Sequence, residues 1–100
     1  MTERAKRLVE HILRVAKPNQ TLFSVMTVGP VTEDTTYWTL TGRGDVEVSE
    51  DTVYPAMARV AGETRTISMD EAKRQILAAL LQEDTDGSLV PYFERQWKLE

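Results

Sequence analysis

Thr35 to Thr41, T-T-Y-W-T-L-T, is the stretch that most restricts how this chain can fold. Four threonines in seven residues disfavour a helix, because each β-branched side chain loses rotamer freedom against the preceding turn. With Tyr37 and Trp38 they suit a pleated, half-buried surface instead. Alternation puts Trp38 and Leu40 on one face and Tyr37, Thr39 and Thr41 on the other, so Trp38 is expected to point into a core. Thr21 to Val28, T-L-F-S-V-M-T-V, has a similar composition, and the link between the two stretches carries the turn formers Gly29, Pro30, Glu33 and Asp34. Two antiparallel strands are the economical reading. Gly42-Arg43-Gly44-Asp45 is then a hairpin turn, followed by a short strand at Val46 to Val48, with a further extended run at Glu63 to Ile67. Arg43-Gly44-Asp45 also spells an integrin adhesion sequence, but a tripeptide is a weak signal beside a plain turn.

Amphipathic segments are expected to cover that sheet. In residues 2 to 16, Ala5, Leu8, Val9, Ile12, Leu13 and Ala16 make one apolar face, and Lys17-Pro18-Asn19 stops the helix. The chain reads as organised around Asp51 to Gly62. There Thr52 can cap, Pro55 falls in the first turn, and Val53, Ala56, Met57, Val60 and Ala61 share a face, so the spacing predicts a helix over 53–61 closed by Gly62. Ser68 and Glu71 form a capping box that opens a helix over residues 69–82, with Met69, Ala72, Ile76, Ala79 and Leu80 on one stripe. Pro91 can open a short terminal helix in which Phe93 and Trp97 lie four apart beside Tyr92. A strand through Leu89 to Trp97 is the competing reading.

The fold expected is therefore α+β, a small, mostly antiparallel sheet of three to four strands with three helices packed on it. One hundred residues make one domain by length, assigned to 1–98, with Leu99-Glu100 read as a purification-tag remnant without structural role. No cysteine is present, so stability rests on packing and no thiolate chemistry is available. No apolar run approaches the roughly 20 residues that span a bilayer, and a cytoplasmic location is the default.

The net charge of −4 is unevenly spread: up to Lys17, five basic residues face Glu3 and Glu10 and give +3, leaving −7 for the remainder. On the flank of the first helix Arg4, Arg7, His11 and Arg14 recur at spacings of three and four and form one cationic row. The row is either a solvated helix flank or a docking strip for an acidic partner or a phosphate backbone. Tyr92 and Trp97 are the second candidate contact group, either a tail folded onto the core or a partner surface.

Glu83-Asp84-Thr85-Asp86-Gly87 has the flavour of a calcium loop. With Gly87 at the sixth position, however, Gln82 and Phe93 would occupy the two anchoring positions, and neither is a carboxylate. An acidic turn is the better reading. His11, the sole histidine, has no evident group to orient it, and no spaced metal-ligand pair exists. No catalytic, metal or cofactor site is expected, and the favoured function is a non-catalytic domain acting through protein contacts with a partner or with itself. A small-ligand domain or an enzyme of unknown reaction stays behind it.

Val48-Ser49-Glu50-Asp51-Thr52-Val53-Tyr54-Pro55-Ala56-Met57-Ala58-Arg59-Val60 is similar to the recognition-helix segment of PadR-type winged-helix transcriptional regulators, a serine followed by Thr-x-Tyr-Pro-Ala-Leu-x-Arg-Leu. Val25 to Pro30 resembles that family's upstream Leu-Leu-x-x-Gly-Pro. The resemblance implies a helix that enters the DNA major groove, dimerisation through added helices, and Thr52, Tyr54 and Arg59 near DNA. It also implies a helix near Tyr37 to Gly42, where the residues read as strand, and Glu50, Asp51 and Glu63 oppose nucleic acid. The conformation of Thr35 to Thr41 separates the two accounts: strand supports the contact domain, helix the regulator.

Overall fold

The computed structural model describes residues 2–54 and 59–99, and the side chain of Arg59 lies outside the description. The described residues form α1 (Thr2–Val15), β1 (Thr21–Val28), β2 (Glu33–Leu40), β3 (Val46–Val53), β4 (Arg59–Ile67), α2 (Met69–Glu83) and α3 (Leu89–Gln96). The strands make one antiparallel sheet in the order β1-β2-β3-β4. The α+β class expected from the sequence is the one found, and the threonine-rich stretch is strand β2.

Two tight links set the hairpins. Gly29 N donates to Thr32 O at 2.8 Å, so the β1–β2 turn closes around Pro30 and Val31. Thr41 N donates to Asp45 O at 3.0 Å and the Thr41 hydroxyl to the Asp45 carboxylate, while Gly44, at φ 87°, takes the left-handed step that side chains resist.

Cross-strand register carries the core from one strand to the next. Phe23 faces Trp38, Trp38 faces Val48, and Leu40 faces Val46, which in turn faces Ile67. At the start of β1 the register shifts between Thr21 and Phe23, so Leu22 and Phe23 are both buried although they are neighbours. Against this face pack Ala5, Leu8, Val9 and Ile12 of α1 and Ala72, Ile76 and Leu80 of α2, all in one cluster. Leu8, Ile12, Ile76 and Leu80 are essentially inaccessible, and burying each contributes about 1.5–3 kcal/mol. Lys73 Nζ bonds Glu10 Oε2 at 2.5 Å, tying the rims of α1 and α2.

The helices cover half of that face. Beyond them Thr27, Asp34 and Glu50 stand exposed on the same side of the sheet, and the Thr52 hydroxyl donates to Asp34 Oδ1 at 2.7 Å across the strands. Polar residues there remove any need for a cover.

The helix expected over 53–61 is not formed at its described ends. Val53 is the last residue of β3, facing Arg59, and Arg59, Val60 and Ala61 belong to β4, facing Val53, Thr52 and Asp51. Residues 55–58, the middle of that expected helix, lie outside the described residues. The periodic apolar pattern was outweighed by pairing: Thr52, Val53 and Val60 fit a pleated strand as well as a helix, and β3 can extend along β2 as far as Glu33. The third helix is α3 instead, so the terminal aromatic segment takes the helical alternative.

Gly62 does not cap a helix. It sits in a bulge of β4, where Gly62 and Glu63 oppose Glu50, and a Cβ built there would meet Glu50 O at 2.9 Å. Gly62→Ala is therefore expected to destabilise the fold by about 1–3 kcal/mol. Gly42→Ala, whose new carbon meets nothing within 4 Å, is expected to stay within about 0.5 kcal/mol. Urea denaturation of the two variants measures the contrast.

Candidate functional site

The acidic turn after α2 positions the last helix. Asp86 Oδ1 accepts from Ser88 N at 3.0 Å and Ser88 Oγ at 2.6 Å, and Asp84 Oδ1 accepts from Leu89 N at 2.9 Å. These bonds satisfy amides at the start of α3 and hold the Asp86 carboxyl below its usual range. Among the described residues no cluster of His, Asp and Glu could hold a metal ion.

α3 lies along the cationic flank of α1. Arg4 grips Glu94 with both arms, Nε to Oε2 at 3.0 Å and Nη2 to Oε1 at 2.6 Å, and His11 Nε2 donates to Trp97 O at 2.8 Å. That bond needs the proton on Nε2, because a carbonyl only accepts. The Glu94 carboxyl is lowered by its bonds from Arg4, with smaller help from the charges of Arg4, Arg7 and Arg95. Arg7 and Arg14 remain exposed. Half of the cationic row thus meets the chain's own C-terminal segment.

Aromatic rings run outward from the core along the same seam. Trp38 and Phe23 lie 6.0 Å apart, Phe23 and Phe93 meet edge to face at 5.5 Å, and Phe93 and Tyr92 do so at 5.2 Å. Trp97 is half-buried, and Tyr92 is 46% exposed at the end of the series. Leu99, read from the sequence as without structural role, is half-buried against the core, with its N–H on Glu94 O at 2.8 Å.

Between α3 and the start of β1 runs a groove of about 300 Å³, lined chiefly by Leu22, Phe23 and Ser24 on one wall and Tyr92, Phe93 and Trp97 on the other. β1 is the outermost strand on that side. Because Gly29 N bonds toward β2, alternation turns the backbone groups of Ser24, Met26 and Val28 away from β2, toward the open edge. Met26, Val28 and Val31 are 57%, 69% and 62% exposed. The sequence singles out Tyr92 and Trp97, which line this groove, but not this edge. Its signal was eight consecutive uncharged residues in β1, and only the strand order shows that they lie at the rim.

Of the three residues tied to DNA by resemblance, Thr52 is in β3, Tyr54 directly follows it and is 38% exposed, and Arg59 opens β4. None is on a described helix. The fold and its surface define a small α+β domain with an uncharged sheet edge beside an aromatic groove. The chain matches no family model, no curated protein and no solved structure.

His11→Ala removes one bond to the C-terminal segment and is expected to cost about 0.5–1.5 kcal/mol in urea denaturation. The Arg4–Glu94 pair makes α3 docking pH-dependent. Glu94 titrates lower when folded, so its contribution is full above the unfolded carboxyl range near about pH 4.3 and is lost as pH falls through the folded-state value. The Trp97 indole NMR signal is expected to shift as pH falls through that window, and in Arg4→Gln that shift is expected to shrink.

Proposed function

We propose that this chain is a non-catalytic domain that acts through protein contacts made at the β1 edge and the groove beside α3. The observation that carries this reading is the adjacency of an uncharged edge strand with outward backbone groups and a groove walled by Tyr92, Phe93 and Trp97. An extended segment laid on such an edge gains main-chain hydrogen bonds from the strand and side-chain contacts from the groove. Aromatic residues are enriched where interfaces form. Tyr92, exposed at the rim, is the anchor in this reading.

The cationic residues Arg7 and Arg14, exposed on α1, are secondary contacts for acidic groups of the partner. His11 and Arg4 already hold α3, which assigns them a supporting role. No cofactor, metal or membrane enters this reading, and no described helix is long and apolar enough to cross a membrane. We place the domain in the cytoplasm, in keeping with a cysteine-free chain that relies on packing alone. The resemblance would put Thr52, Tyr54 and Arg59 on a helix in the DNA major groove, whereas Thr52 and Arg59 belong to strands, which favours the contact-domain reading.

A photo-reactive phenylalanine analogue at position 92 tests the surface in the cells that make this protein. Irradiation is expected to give covalent protein adducts from position 92 and none from position 43, in the β2–β3 turn. Equal yields from both positions, or none from either, would remove the proposal.

A further inference from the structure

The two edges of the sheet are built differently. β4 carries Arg59, Glu63 and Arg65 in nine residues, and its bulge at Gly62 breaks the ladder. Charges and bulges are the devices that keep an edge strand from pairing. From Phe23 to Val28, β1 has neither, and its register with β2 is unbroken.

We propose that β1 pairs with β1 of a second copy of this chain, antiparallel and about a two-fold axis at Met26, to join two sheets into one of eight strands. The inference rests on the reading of the β1 edge as a contact surface and names its occupant. Ser24, Met26 and Val28 have their backbone groups turned outward, and centring on Met26 sets Ser24 against Val28 and Met26 against its own copy. That register satisfies all three at once, with about six backbone hydrogen bonds. Both helical layers fall on the same face of the joined sheet.

Two further features fit the same register. Counting outward from Met26, the β1–β2 turn of one copy lies beside the start of β1 in the other. The exposed Val31 of each copy then comes to the groove under Tyr92 and Trp97 of its neighbour. The antiparallel arrangement also brings Glu33 and Asp34, the acidic residues that open β2, toward the end that carries Lys17, Arg95 and Lys98. A parallel arrangement would set the acidic start of β2 in one copy beside the same acidic residues of the other. Within the β1 pair itself no charge meets a like charge, because the strand has none. A two-fold contact of this kind is self-complementary and closes at two copies.

Light scattering of the purified full chain over a concentration series is expected to show a dimer, and Met26→Lys, which sets two like charges face to face, to raise its dissociation constant by up to about fivefold. Spin labels on Met26→Cys and Ala61→Cys locate the contact, since the chain has no other cysteine. Ala61 lies in line with Met26 through Asp51 and Thr35. Labels at 26 are expected within about 20 Å, because facing Cα atoms lie about 5.5 Å apart. Labels at 61 are expected near about 34 Å, seven strand spacings of about 4.8 Å. Met26 is exposed, so labelling leaves the core intact, and circular dichroism checks the Met26→Lys fold. A monomer at every concentration overturns self-pairing, as does a dimer whose labels are near at 61 and far at 26. Adducts from position 92 to a different protein, with a monomer in solution, would end this inference while leaving the contact-surface reading standing.

Discussion

Trp38 is the joint at which the layers of this molecule meet. It is 7% exposed, stands between Phe23 and Val48 across the strands, and donates its indole N–H to Gln75 Oε1 at 3.0 Å. Gln75 in turn donates to Glu71 Oε2 at 3.1 Å, so the sheet is tied to α2 through a buried donor that has found its acceptor. An apolar ring in that position would pack but not orient α2. The bond fixes where the helix lies over the sheet, and α2 then positions α1 through Ala72, Ile76 and Leu80.

From that joint the aromatic series leads through Phe23 and Phe93 to Tyr92, and so links the most constrained part of the fold to its proposed contact surface. A groove wall that rests on the core keeps its shape before a partner arrives, which lowers the ordering cost of binding. The C-terminal segment is held from three sides: by Asp84 and Asp86 at its start, by Arg4 along its length, and by His11 at its end. Exposed ion pairs such as Arg4–Glu94 contribute modestly and weaken with salt. Burial of Val90 and the contact of Phe93 on Phe23 therefore carry most of the docking.

The sheet shows how far a strand can run once one neighbour is in place. Val46 to Val48 was legible as a strand because it alternates, but the continuation through Val53 contains Asp51 and Thr52, which read as a helix start. Thr52 illustrates the ambiguity. Its hydroxyl can cap a helix or bond across a sheet, and here it donates to Asp34, a residue eighteen positions away. Ser68 faced a similar choice and capped, accepting from Glu71 N at 3.1 Å, because nothing competes for it across a strand in the described bonds.

The sequence by itself determined the strands at the threonine-rich centre, the inward face of Trp38 and Leu40, both long amphipathic helices and the helical option at the C-terminus. Those features depend on neighbours within a few residues, where periodicity, β-branching and capping act directly. Tertiary structure decided the rest: that Val53 and Arg59 to Ala61 extend a hairpin, that Arg4 and His11 hold α3, and that β1 lies at the rim. Each of these turns on a partner distant in the chain. An apolar spacing that serves two conformations equally is settled by whichever one finds backbone groups to pair with.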